Sequence, residues 1–520
     1  PGFRPLRGGA PPAARRRRRP AGGAAGFGCM LVTTEALPVA GLESAPLSPD
    51  DLGFWYADQP RQRTTMAMLL LLDRKPDPDR LRAAIARMVE AVPRLRQRVV
   101  EAPFGLALPR WEEDPTLDLD FHVRRYSLAD ESSDPSDLGE LFRTIGPIYE
   151  RPFDRTRPLW EMIEIDRREA GAAIFFRLHH AVADGVGGNA ILAALTDAAR
   201  EGDPLPPPPE KPPGAWAEKS FASVFERAMR DRVAQDAARA SAVAGALWRA
   251  VRKPSSLLHA GRILGGIAQE FGRQSESPLR EFGRARRLAG IQVDFGRVRE
   301  ARQAMAGTVV DLALTAVAGA VGVWHGAHQL RNVSELKTLV PINLRSRAAQ
   351  GLGAGVGNRT TGIIVRLPLR IDDPRARFRE IHRRVEERKA HPAVEFFPLF
   401  ASVLAGLPRT LYRALAYRSS QTIDLIVTNV PGVPVVRHLA GAEIEAAYPF
   451  APVTSRCPVS IACYGYREHL FVGLDTDATS LPDVDEFRQL LARSFEEVIG
   501  ACAPSSPPSA GSVPPSARSG

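Results

Sequence analysis

His179 and His180 stand side by side at the end of an apolar run, residues 172–178, and are followed by Asp184 and by Gly185, Gly187 and Gly188. An imidazole exchanges a proton near neutral pH, and glycines just downstream let the chain turn tightly against a ligand. The combination points to a general base set where a strand stops. Two plainer readings compete: half of a metal site, or a pair of core histidines. Zinc needs a third and usually a fourth His, Cys or carboxylate at ligand spacing. The other eight histidines, at 122, 259, 325, 328, 382, 391, 438 and 469, form no such cluster, so no metal is expected.

Other chemistries find less support. A serine hydrolase of the α/β type presents its nucleophile on a Gly-x-Ser-x-Gly elbow, which this chain does not contain. Cys29, Cys457, Cys463 and Cys502 are too few and too scattered for a disulfide framework, which points to a reducing, cytoplasmic compartment. Cys457 and Cys463 read as structural, because a nucleophilic thiol needs a paired base. No run reaches the ~18–20 apolar residues of a membrane span. The nearest, 312–324, opens directly after Asp311 and reads as a buried helix, so membrane contact is expected to be peripheral.

The net charge of +10 comes mostly from residues 1–29, where Arg4, Arg7 and Arg15 to Arg19 have no acidic neighbour; without them +3 remains. Translation is expected to start near Met30, so the charge says little about function. Nor does an aromatic-and-basic motif point to nucleic acid.

The elements that must hold the histidine pair read as alternating strands and helices. Residues 66–72 are a continuous apolar run, consistent with a strand buried on both faces. Asp77-Pro78-Asp79 opens a helix whose apolar positions 81, 84, 85, 88 and 89 recur at helical spacing. Strand-like pieces follow at 96–100 and 119–123, a helix at 138–149, strands at 159–165 and 172–178, and a helix reaching about residue 200. The proline-rich stretch 204–213 sustains neither helix nor sheet and marks a boundary. Basic amphipathic helices at 219–252 and 255–271 fit either an anionic membrane surface or a connector packed on the domains. A second half follows, with strands at 291–295, 338–342, 361–367 and 424–428, helices at 308–324, 374–389 and 483–499, and a hairpin at 459–464 and 470–474. The expected organisation is a disordered or untranslated extension (1–44), a first half (45–203), a linker and helical connector (204–285), a second half (286–502) and a disordered tail (503–520), in the α/β class.

His179-His180-Ala181-Val182-Ala183-Asp184-Gly185 resembles the His-His-x-x-x-Asp-Gly signature of the CoA-dependent acyltransferase superfamily, shared with chloramphenicol acetyltransferase and peptide-synthetase condensation domains. Its company narrows the resemblance. Leu47-Ser48-Pro49-Asp50 with Phe54, Pro158-Leu159-Trp160-Glu161, Pro341-Ile342-Asn343-Leu344-Arg345, Gly357-Asn358-Arg359 and Asn429-Val430-Pro431-Gly432 occur in the order seen in bacterial wax ester synthase/diacylglycerol acyltransferases. The likeness spans residues 45–500.

The resemblance implies two chloramphenicol-acetyltransferase-like α/β domains, with mixed sheets flanked by helices, joined by a helical crossover. The histidine motif would face a tunnel between them. It implies acyl-CoA as co-substrate, no cofactor, and diacylglycerol or a long-chain alcohol as acceptor, giving triacylglycerol or wax ester. His180 would be the base, with direct attack on the thioester and no acyl-enzyme. His179 would support the loop or the His180 ring, Asp184 would hold the loop through an arginine, and Gly185 would keep the turn narrow. Asp311, Asn343, Arg345, Asn358 and Asn429 are candidates near the site, and Pro158-Leu159-Trp160 reads as a packing element. The family usually carries Asn-Asp where this chain has Val310-Asp311, so the role of that asparagine does not transfer, and Asp311 is left as a helix cap. Partners would include the inner face of the plasma membrane or a lipid-droplet surface. A different acceptor (amine, sugar or carrier-bound), or a lipid-binding relative without activity, are the competing readings.

Overall fold

The computed structural model describes residues 44–60, 62–127, 134, 137–202, 221–252, 277, 279, 283–330, 333–343, 360–391, 407, 409–420, 422–453 and 457–503. In chain order the first half contains β1 (Ala45–Pro46), α1 (Pro49–Ala57), β2 (Thr65–Leu72), α2 (Pro78–Ala91), β3 (Gln97–Val100), β4 (Arg110–Glu113), α3 (Leu119–His122), β5 (Val123–Ser127), α4 (Leu138–Glu150), β6 (Trp160–Asp166), β7 (Ala172–His179) and α5 (Gly185–Leu195). After α6 (Phe221–Arg252) come β8 (Arg286–Asp294), α7 (Phe295–Ala304), α8 (Val309–Ala327), β9 (Glu335–Asn343), β10 (Thr360–Pro368), α9 (Pro374–Lys389) and α10 (Arg409–Ser420). The chain closes with β11 (Leu425–Val433), β12 (His438–Leu439), β13 (Ala442–Phe450), β14 (Val459–Tyr466), β15 (His469–Asp477) and α11 (Val484–Cys502). The proline-rich boundary and the connector helix expected at 255–271 lie outside the described residues.

Carboxylates set most of the helix starts. Asp77, Asp137, Asp184, Asp294, Asp373 and Asp483 each accept a backbone N–H in the first turn, filling one of the donors that a helix leaves open. The same chemistry overrides one expected strand. Asp118 caps a single helical turn at Leu119–His122, so the strand expected at 119–123 begins only at Val123. The helix expected to reach about residue 200 stops at Leu195, and Asp197 instead bridges to His438.

Two six-stranded mixed sheets, ordered β12-β13-β2-β7-β6-β5 and β10-β9-β11-β14-β15-β8, form the body, with a small β1-β4-β3 sheet beside them. All eight residues of β7 are buried, as expected of an inner strand covered on both faces. The sheets do not follow the division of the sequence into halves. β13 comes from the second half yet pairs antiparallel with β2, so the stretch from β11 to β13 begins in one sheet and ends in the other. α8 is longer than its apolar run: 19 residues with mean hydropathy 1.5, enough by length and composition to cross a membrane. Instead it is a core helix, buried from Asp311 to Val321 and packed with residues of α9 and α11.

A pair of glycines lets the sheets meet. Gly473 in β15 lies opposite Gly290 in β8. A Cβ on Gly473 would sit 1.8 Å from the Pro449 carbonyl oxygen, and one on Gly290 2.6 Å from Tyr448 Cδ1. The paired glycines form a notch into which Tyr448-Pro449-Phe450 of β13 presses. We expect Gly473→Ala to destabilise the protein by about 1–3 kcal/mol, read from the urea midpoint. Gly500→Ala in α11, where a Cβ meets nothing within 4 Å, should be neutral or stabilising.

Candidate active site

β7 delivers His179 and His180 to a turn whose backbone is held on both sides. The His179 N–H donates to Leu159 O (3.0 Å), the His180 N–H to Thr64 O (2.7 Å), and the Val182 N–H to His179 O (2.9 Å). Ala181, Val182 and Ala183 are fully buried, so the turn is packed from below. Leu159 and Trp160 are also fully buried, and Trp160 Nε1 donates to Leu95 O at 2.8 Å. Pro158-Leu159-Trp160 thus packs, and its backbone anchors the histidine strand.

The two rings have different surroundings. His179 is 2% exposed, and its Nδ1 accepts from the Ala181 N–H (3.0 Å). The proton therefore sits on Nε2, which donates to Thr64 Oγ1 (2.9 Å). Thr64 Oγ1 donates onward to Phe54 O (3.4 Å). Both nitrogens of His179 are thus engaged, and the chain of bonds ends on α1. Burial pushes its imidazole down to about 4, partly opposed by Asp58, whose Oδ2 lies 4.0 Å away. Asp58 is held by Arg155 (2.9 Å) and Arg63 (3.7 Å). His180 is half-buried, and its ring stacks on Phe54 with centroids 3.9 Å apart and planes at 15°. The chain of bonds from His179 through Thr64 thus ends on the residue against which the His180 ring stacks.

Asp184 is 1% exposed and caps α5, its Oδ1 accepting the Gly187 N–H at 2.8 Å. The glycine after it is required by a close approach, since a Cβ on Gly185 would lie 2.6 Å from Val430 Cγ2. Val430 belongs to Asn429-Val430-Pro431-Gly432 at the end of β11, and Asn189 Nδ2 on α5 donates to Pro431 O. The histidine motif and this second-half motif thus meet directly. The seam continues at Arg437, whose guanidinium donates to Thr196 Oγ1 (3.0 Å) and Ala193 O (3.2 Å).

The remaining candidates do not all join the loop. Asp311 is fully buried in a reciprocal capping box with Thr308, and its Oδ2 also meets His382 Nδ1 at 2.9 Å. These partners belong to the second half, consistent with a cap. Asn429 is half-buried on β11, in register with Cys463. Asn343 ends β9 in register with Thr360, while Arg345 and Asn358 lie outside the described residues. Burial pushes the Cys463 thiol up to about 12, which removes it as a thiolate nucleophile. Among the described residues no group of three or more His, Cys, Asp or Glu could hold a metal ion.

Several neighbours carried no signal in the sequence. Thr64 and Asp58 are ordinary loop residues until the fold brings them to His179. Asp50, by contrast, belongs to the first of the dispersed motifs; it stands one helical turn before Phe54, and burial, with Asp51 and Asp184 adding, pushes its carboxyl up to about 6. Tyr412 on α10 reaches over the same turn of α1, its hydroxyl 3.0 Å from where a Gly53 Cβ would sit.

Two outcomes follow. Gly185→Ala should displace the loop and lower kcat/KM about 100-fold, the cost of roughly 1 Å of misplacement, and Val430→Ala in the same chain should restore most of it. The unfolded chain protonates residue 179 near 6.5, the folded chain only near 4. Its folded value is depressed, so the contribution to stability is complete above pH 6.5 and is lost as the pH falls towards 4, on the order of 3 kcal/mol. Urea unfolding of wild type and His179→Gln between pH 7.5 and 4 should show that extra loss only in the wild type.

Residues 47–313 match the family model of the wax ester synthase/diacylglycerol acyltransferase catalytic domain, and residues 356–498 that of the WS/DGAT C-terminal domain. A Mycobacterium tuberculosis protein that carries the name diacylglycerol O-acyltransferase is 32% identical over 451 residues, covering 85% of this chain and 88% of its own. The Mycobacterium tuberculosis tgs1 protein, with the same activity in its name, is 25% identical over 465 residues, covering 86% and 94%. Among solved structures, the wax ester synthase/diacylglycerol acyltransferase from Marinobacter aquaeolei VT8 has the same fold, with a TM-score of 0.57 at 20% identity over 88% of this chain and 100% of that one. The first condensation domain of the calcium-dependent antibiotic synthetase shares the fold too, with a TM-score of 0.57 at 18% identity over 89% and 97%. The chain belongs to the wax ester synthase/diacylglycerol acyltransferase family and is an acyl-CoA-dependent O-acyltransferase.

Proposed function

We propose that the enzyme transfers a long-chain acyl group from acyl-CoA to diacylglycerol, to a long-chain alcohol, or to both, with His180 as general base. The acceptor oxygen attacks the thioester carbonyl while His180 takes its proton. The new C–O bond forms, the C–S bond breaks, and the proton passes from the imidazolium to the departing CoA sulfur, so ester and CoA thiol are the products. The observation that carries this reading is the division between the two imidazoles. His179 is sealed in with both nitrogens engaged, while His180 is half-buried with its ring plane fixed by Phe54. Asn343, Arg345, Asn358 and Asn429 enter the proposal as structural or substrate-binding residues near the site, and the names of the relatives support the acceptor pair. Incubated with a long-chain acyl-CoA and either diacylglycerol or hexadecanol, the purified protein should release CoA thiol in proportion to ester formed. Release no faster than without acceptor, for both, would refute the proposal; lipid binding without turnover would favour a non-catalytic relative.

We also propose that the enzyme is cytoplasmic and works at an anionic lipid surface, the inner face of the membrane or a lipid droplet. Support comes from α6, where Phe221 (66% exposed), Phe225, Met229 and Val233 recur every fourth residue on the exposed side of an arginine-rich helix. Sedimentation with phosphatidylglycerol vesicles should bring down the wild type, and Phe221→Ser with Val233→Ser should weaken that binding several-fold. Equal sedimentation of both would remove α6 from the proposal.

A further inference from the structure

A polar cavity of about 210 Å³ is lined by Arg63, Tyr149 and Glu150 from the first half, by Arg284 at the end of the connector, and by Arg286 and Asp475 from the second half. It lies close behind the motif. The Tyr149 hydroxyl donates to Thr65 O (2.7 Å), Thr65 faces His179 across β2 and β7, and the adjoining Thr64 O holds the His180 N–H. Arg63 pairs with Asp58, 4.0 Å from His179. At ~30 Å³ per water, the space would hold about seven waters, or a small polyol head.

What the wall lacks is informative. Asp475 on β15 is 1% exposed, and neither of its carboxyl oxygens makes a hydrogen bond of good geometry among the described residues, although the Tyr149 hydroxyl and the Val453 backbone lie near enough to favour its charged form. Most buried polar groups are satisfied, and an unsatisfied carboxyl is costly to retain. The charges around it are largely matched. Arg286 is paired with Asp477 and donates its backbone N–H to Glu150 (2.6 Å), and Arg63 is paired with Asp58. A phosphate would therefore find little net positive charge. What the wall offers is neutral hydrogen bonding, from the poorly satisfied Asp475 carboxyl and the Tyr149 hydroxyl beside it. Burial pushes the Asp475 carboxyl up to about 7, so near neutrality it can either donate to an ester carbonyl or accept from a hydroxyl.

We propose that this cavity takes the oxygen-bearing glycerol end of an acylglycerol acceptor, making Asp475 a residue that selects acylglycerols over plain long-chain alcohols. This rests on the acceptor reading above. The test compares kcat/KM for 1,2-dioctanoylglycerol and for hexadecanol, with one acyl-CoA, in wild type, Asp475→Leu and the near-isosteric Asp475→Asn. The ratio of the two values should fall at least tenfold in Asp475→Leu and less in Asp475→Asn, with both variants folded by thermal melting. A ratio that stays constant, whether both rates fall together or neither moves, overturns the proposal and leaves a water-filled cavity. Calorimetric binding of 1,2-dioctanoylglycerol without acyl-CoA keeps the question separate from turnover. Wild type should bind it at least tenfold more tightly than Asp475→Leu even if no ester is ever formed, and equal binding overturns the proposal on its own.

Discussion

The stretch from β11 to β13 is the constraint on which the rest of the molecule depends. It starts as an inner strand of one sheet, presses Val430 and Pro431 against the first turn of α5, and ends paired with β2 in the other sheet. β2 in turn pairs with β7, the strand that carries the histidines. One continuous piece of backbone thus grips the histidine turn on one side and its supporting strand on the other. The approach is close enough that residue 185 has no room for a side chain and residues 290 and 473 must be paired glycines.

Within that frame the neighbouring histidines divide the work. Successive residues at a strand end point to opposite faces, so a pair delivered by β7 buries one ring and leaves the other half-buried against Phe54. Burial then decides the chemistry of the first. A charged imidazole is expensive in a closed apolar site, which is why His179 stays neutral and spends both nitrogens on structure. Its bonds through Thr64 reach Phe54, and Phe54 sets the plane of His180.

Much of this was legible in the sequence. The apolar run before His179, the glycines after it and the apolar positions that follow give the strand, turn and helix directly, and the dispersed motifs give the family; the capping of α5 by Asp184 appears only in the structure. Asn429-Val430-Pro431-Gly432 was recognisable as a motif, though its partner was not. Contact between Gly185 and Val430 joins residues far apart in the chain, and no local pattern encodes it. β13 is missed altogether: no strand is expected between residues 428 and 459, and the sheet it completes depends on its distant partner β2. Thr64, Asp58 and Asp475 are polar residues of common type, and their significance arises only from burial. The strand expected at 119–123 gave way to a capped turn because the Asp118 carboxylate supplies a local bond that a strand would forgo.

The division between the histidines is the central claim, and the most direct measurement is the kcat/KM for acceptor acylation in His180→Ala beside His179→Gln, each shown to be folded. On this account His180→Ala loses about 100- to 10,000-fold, the usual contribution of a positioned base, while His179→Gln, which keeps a hydrogen-bonding side chain, loses far less. Equal losses in the two variants, or a His180→Ala enzyme as fast as wild type, would contradict it.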